Sequence, residues 1–233
     1  MAENTDDRLA RLDDEDPAGD YAELGALYAS VVPVFGGVVS QVLSAWSAER
    51  RYERVRDVLR GVAHDLALFK GTVREEYIRS DEFADLLDQT LRRVVTERSE
   101  AKRQLYRGLL AAAATVATDT YDEQLHVVQV IDALQGAHIN VLRAILQAPP
   151  SGPDEGISGS FLDTLKRRLP GFTEQRIVDL VGQLSSQHVA NFGGLNSMMT
   201  WRGAQDMRGT LTPLGTRLVT YLRNEGGSDG ATR

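Results

Sequence analysis

Residues 161–184 read FLDTLKRRLPGFTEQRIVDLVGQL, and the fold of the chain turns on what this stretch encodes. Phe161, Leu162, Leu165 and Leu169 recur at helical spacing, and Pro170-Gly171 stops that helix. Thr173 is placed to cap the free N–H groups of the next helix, with Glu174 where the helix dipole favours an anion. Phe172, just before the cap, sits where it can staple onto Ile177. Ile177, Leu180, Val181 and Leu184 then form one apolar stripe. Two short amphipathic helices joined by a tight turn predict a helix-turn-helix.

The flanks extend the pattern. Upstream, Ile139, Leu142, Ile145 and Leu146 mark another helix, and the polar stretch 148–156, with three prolines, cannot continue it. Downstream, Val189 to Phe192 predicts a strand, Gly193-Gly194 a turn and Met198 to Arg202 a second strand. Gly203 to Gly209 reads as a polar turn. Thr212-Pro213 opens a final helix, striped by Leu214, Leu218, Tyr221 and Leu222. Three helices, a small β-ribbon and a closing helix over 136–224 give the order of a winged helix.

The junction Leu211-Thr-Pro-Leu-Gly215 resembles the wing-to-helix junction of bacterial winged helix-turn-helix proteins, MarR-like and PadR-like ones among them. That resemblance implies double-stranded DNA as partner, with the third helix in the major groove. Gln175, Arg176 and Gln183 would read base edges, and Lys166, Arg167, Arg168, Arg202 and Arg208 would hold phosphates. Charge opposes this. The unpacked face of the third helix sets Arg176 against Glu174 and Asp179, and residues 150–224 carry a net charge of only +2. Winged helices also dock proteins or dimerise, so a protein partner or a homodimer is the competing expectation.

The preceding region, 22–135, predicts a helical bundle. Val55, Val58, Leu59, Val62, Leu66 and Phe69 form one stripe; Phe83, Leu86, Leu87, Leu91, Val94 and Val95 form another, capped by Ser80. Leu105, Leu109, Leu110 and Val116 mark a third helix, with the small Ala111–Ala114 run allowing close approach, and Leu125, Val128, Ile131 and Leu134 mark a fourth. No strand is expected before residue 185. Its opening resembles, loosely, that of uncharacterised bacterial helical proteins that end in a winged helix, through the break Pro33-Val-Phe-Gly-Gly37 before a long charged helix.

Segment 24–48 carries no charged residue, which raises the alternative of a membrane-associated helical effector. Pro33 and Gly36-Gly37, expected to interrupt it, and its many Ser, Gly and Gln residues argue instead for a buried hairpin or broken helix. Residues 1–21 hold eight acids and two bases and read as an acidic disordered tail; 225–233 read as a second tail. The chain has no cysteine, which removes disulfides and thiolate chemistry, and it begins with no basic region followed by an apolar one, so a cytoplasmic protein is expected.

No phosphate-loop, dinucleotide-binding or nucleophile-elbow pattern occurs. Glu123-x-x-His126 has metal-ligand spacing, but the second such pair needed for a di-metal bundle is missing. His126 reads as a surface residue and His138 as a packed residue at a helix start. The expectation is a non-enzymatic regulator or adaptor without metal or cofactor: mainly α, a bundle followed by a winged helix with a small β-ribbon.

Overall fold

A computed structural model describes residues 33–44, 52–69, 71, 73–115, 119–147 and 158–223. The acidic tail, the ends of segment 24–48, most of 148–160 and the C-terminal tail lie outside these residues. The chain is mainly α-helical and divides between Asp132 and Ala133 into two compact units.

The first unit contains α1 (Pro33–Ser44), α2 (Tyr52–Leu68), α3 (Glu75–Ile78), α4 (Asp81–Thr96), α5 (Glu100–Thr115) and α6 (Tyr121–Ala133). Pro33 opens α1 at the position where its missing N–H costs nothing. Gly36 and Gly37 lie inside α1 and do not break it. Each glycine costs about 1 kcal/mol of helix propensity, which the full burial of Phe35, Val39 and Leu43 as α1 packs on α3 and α4 outweighs. Among the described residues no helix is long and apolar enough to cross a membrane.

The bundle's most extensive packing is α2 on α5. Val55, Leu59 and Val62 are fully buried there with Leu105, Tyr106 and Leu110. Arg107 grips Asp65 with two hydrogen bonds, Nε to Oδ2 at 2.8 Å and Nη2 to Oδ1 at 2.6 Å. Gly61 makes room for that arm: a Cβ there would lie 2.4 Å from Arg107 Cδ. Ser80 caps α4 by accepting from the Phe83 N–H at 3.3 Å.

Polar contacts tie α6 to the other helices. Tyr77 donates to Gln124 and Tyr121 to Asp85. Lys102, itself buried, donates to the Asp132 carbonyl at 3.0 Å and pairs with Glu97 at 2.8 Å. Burial alone would raise the Glu97 carboxyl, but hydrogen bonds from Lys102 and the Ser99 N–H hold it below its ordinary value. Burial, with Asp132 beside it, pushes the Tyr106 phenol well above its ordinary range.

The second unit contains α7 (Gly136–Leu146), β1 (Ser158–Gly159), α8 (Phe161–Arg168), α9 (Glu174–Ser186), β2 (Met199–Thr200), α10 (Trp201–Gln205), a 3-10 turn (Arg208–Thr210) and α11 (Pro213–Arg223). Helix α7 packs against α8, α9 and α11. Ile139, Leu142, Ile145, Leu165, Ile177, Leu180, Leu184 and Leu218 are fully buried. Thr173 caps α9 by accepting from the Arg176 N–H at 3.3 Å. His188 ends α9 in the left-handed region, φ 55°, which lets the Val189 N–H reach back to the Leu184 carbonyl at 2.9 Å.

The hairpin expected between 189–192 and 198–202 does not form. The Asn191 side chain accepts from the Gly193 N–H at 3.0 Å, and Gly193 takes φ 60°, so the chain leaves the strand direction there. Its partner is 210–212: Asn191 N–H donates to Thr210 O at 2.7 Å and Thr212 N–H to Val189 O at 3.2 Å, an antiparallel bridge centred on Ala190 and Leu211. Residues 199–200 pair instead with 158–159, an antiparallel ladder of Ser158 with Thr200 and Gly159 with Met199. That ladder also corrects the expectation of no strand before 185. The stretch 203–209 is not a polar turn: it holds the end of α10, and Ala204 and Met207 are fully buried.

Candidate functional site

The eight residues suited to DNA all lie in the second unit, on α8, α9 and the segment from α10 to the 3-10 turn. Their side chains divide into those engaged by the unit itself and those presented outward.

Lys166, the last-turn cation of α8, meets Glu174, the first-turn acid of α9, at 2.7 Å across the inter-helix turn. Both are about half exposed, 45% and 56%. Hydrogen bonding to Glu174, then its charge, raises the Lys166 ammonium above its ordinary value. Arg167 is exposed and donates once, to Thr164 Oγ1 at 3.1 Å.

Arg168 points inward. Its guanidinium donates to the Ala144 carbonyl at 2.6 Å, the Gln205 carbonyl at 3.0 Å and Gln205 Oε1 at 3.3 Å. Gln205 is buried and passes its own N–H to Thr164 Oγ1 at 3.1 Å. Arg168 thus adds a second donor to a carbonyl in the last turn of α7, which also accepts from the Gln147 N–H at 3.3 Å, and pins α10 to α8. Burial, then the neighbouring Arg167, lowers its guanidinium from the ordinary value.

On α9 the two residues best suited to hydrogen-bond a partner face α7. Arg176 donates to Gln135 Oε1 at 3.2 Å. Gln183 Oε1 lies 2.6 Å from His138 Nε2. His138 Nδ1 accepts from the Gln135 backbone N–H at 2.9 Å, so Nδ1 carries no proton and Nε2–H is the donor to Gln183. His138 is 1% exposed. Burial drives its pKa below the ordinary histidine value; Arg176 adds to the shift and the Gln183 bond opposes it.

The face of α9 opposite its buried stripe is formed by Gln175, Asp179, Gly182 and Ser186, all exposed. Gln175 donates to Asp179 at 2.9 Å, and Asp179 is the one charge on that face. Arg202 on α10 and Arg208 on the 3-10 turn are exposed.

In the first unit, Glu123 is occupied by its own helix. Its carboxylate accepts from the Thr120 N–H at 2.7 Å and hydroxyl at 3.1 Å, while Thr120 Oγ1 accepts from the Glu123 N–H at 3.3 Å. This is a capping box opening α6. The motif Thr120-Tyr-Asp-Glu123 carries that signal in sequence, and it accounts for Glu123 without a metal. Among the described residues no group of three His, Asp or Glu side chains converges as metal ligands would.

Missed in the sequence were the roles of Gln205, Thr164 and Gln135. Each has a partner far along the chain: Gln205 meets Arg168 and Thr164, and Gln135 meets Arg176. Comparison with family models, with curated proteins and with solved structures found no match.

Proposed function

We propose that this chain is a non-catalytic adaptor or regulator whose C-terminal unit is a winged-helix-type docking module that engages a protein partner. The winged-helix reading is supported by element order: α7, the short strand β1, α8, α9, the pairing of 189–191 with 210–212, and the closing helix α11. The bundle would then mediate oligomerisation or hold a second partner.

One observation carries the choice of protein over duplex DNA. Of the eight side chains suited to DNA, Arg168 is committed to Ala144 and Gln205, Arg176 to Gln135, Gln183 to His138, Gln175 to Asp179 and Lys166 to Glu174. The face of α9 opposite its buried stripe is polar, with Asp179 as its one charge, whereas DNA affinity rests on cations placed against phosphates. Arg167, Arg202 and Arg208 are exposed cations that favour the DNA reading, and Lys166 and Arg176 are exposed as well, though each is paired.

The membrane alternative loses support because the described part of segment 24–48 turns Phe35, Val39 and Leu43 into the core of the first unit. Anisotropy of labelled duplex DNA titrated with the full chain tests the docking proposal. Tight, strongly salt-dependent binding would replace it with the DNA reading.

A further inference from the structure

We propose that His138 is an acid-released clasp: its neutral ring joins the backbone at the start of α7 to the polar edge of α9, and a proton on Nδ1 opens the joint. The geometry leaves the ring one working state. Nδ1 accepts from the Gln135 N–H, and Nε2–H donates to Gln183. An imidazolium carries hydrogen on both nitrogens, so Nδ1–H would confront the Gln135 N–H, donor against donor.

Burial and Arg176 oppose that charge, and only the Gln183 bond favours it. The ring is buried in the first turn of α7, where the helix dipole disfavours a cation. From α9 it faces Arg176, also a cation, while the α9 carboxylates Glu174 and Asp179 are engaged by Lys166 and Gln175. From α8, Arg168 is directed to Ala144 in the last turn of α7, and Arg167 to Thr164. Helix α11 brings Arg217, and α7 itself carries Arg143. Asp163, on α8, is hydrogen-bonded to Ser160.

The consequence reaches the candidate docking edge. Gln135 holds Arg176 through its side chain and His138 through its backbone, so one proton breaks the Gln135 joint directly and releases the ring that donates to Gln183. The clasp is independent of what α9 binds, and its test does not require a partner.

Long-range 1H–15N correlation of the histidine rings in the full chain, titrated from about pH 8 to about pH 5, reads it directly. The expected result is the Nε2–H tautomer at neutral pH and a His138 midpoint below 6.5. The Gln135 backbone amide and the Gln183 side-chain amide should move with that same midpoint. An Nδ1–H tautomer, a midpoint at or above 6.5, or Gln135 and Gln183 signals that ignore the titration would overturn the proposal.

Discussion

Arg168 donates to the backbone carbonyl of Ala144 at 2.6 Å, and this bond ties the end of α8 to the end of α7. Its neighbour Arg167 points outward. Two adjacent arginines therefore have opposite physical roles, and any substitution of the pair together confounds folding with binding.

Arg168→Ala is expected to lower unfolding free energy by about 2 kcal/mol, because the charge-assisted bonds to Ala144 and Gln205 are lost. Arg168→Lys should recover little, since an ammonium cannot fork between Ala144 and Gln205. Arg167→Ala should change stability by less than about 0.5 kcal/mol. Urea denaturation of the three variants checks this; equal losses at 167 and 168 would contradict the inward placement.

Gly215 meets the backbone where it cannot yield. A Cβ there would lie 2.0 Å from the Val189 carbonyl oxygen. Gly215→Ala should cost on the order of 3 kcal/mol. At Gly61 the obstacle is the flexible Arg107 arm, and a gain of about 1 kcal/mol in helix propensity offsets part of the disturbance. Thermal melts should place Gly61→Ala well above Gly215→Ala. The reverse order would mean that the approach of α11 to Val189 is misjudged.

Much of this was legible in the sequence, and the misses share a cause. The starts of α4 and α9 were readable because Ser80 and Thr173 act on backbone groups three residues away. The inward turn of Arg168 and the engagement of Gln183 were not, since their partners Ala144, Gln205 and His138 lie 24, 37 and 45 residues distant. Strand partners failed likewise. The local pattern marked 189–192 and 198–202 as extended-chain candidates, but only the assembled unit pairs them with 210–212 and 158–159. Gly36-Gly37 misled in the other direction, because burial of α1 overrides a local breaker signal.

The Thr120–Glu123 capping box makes a quantitative claim about α6. Thr120→Ala should cost about 1 kcal/mol, whereas His126→Ala, at an exposed position, should be near neutral. Added zinc should leave the melting temperature unchanged. A metal-dependent rise abolished by His126→Ala would revive the Glu123–His126 site.

Acid stability should fall in two separate windows. Folded His138 binds a proton less readily than the unfolded chain, so between the two midpoints the unfolded state holds more protons. Its contribution is complete above about 6.5, is lost as pH falls below that value, and levels once the folded ring is charged. Glu97 is also depressed, so its contribution is complete above 4.5 and disappears at lower pH. Denaturation followed across pH should show the first loss in the second unit alone. Stability that rises on acidification through 6.5 would contradict the His138 assignment.

We propose that α8 and α9 form a protein-docking surface whose DNA-suited side chains are already engaged. Fluorescence anisotropy of a labelled duplex, titrated with the full chain from low to moderate salt, tests it most directly. The expected result is no binding beyond a weak, sequence-independent interaction that vanishes at moderate salt, with Arg167→Ala making little difference. Tight binding with a steep negative salt slope that flattens in Arg167→Ala would contradict it and make this unit a DNA-contacting module.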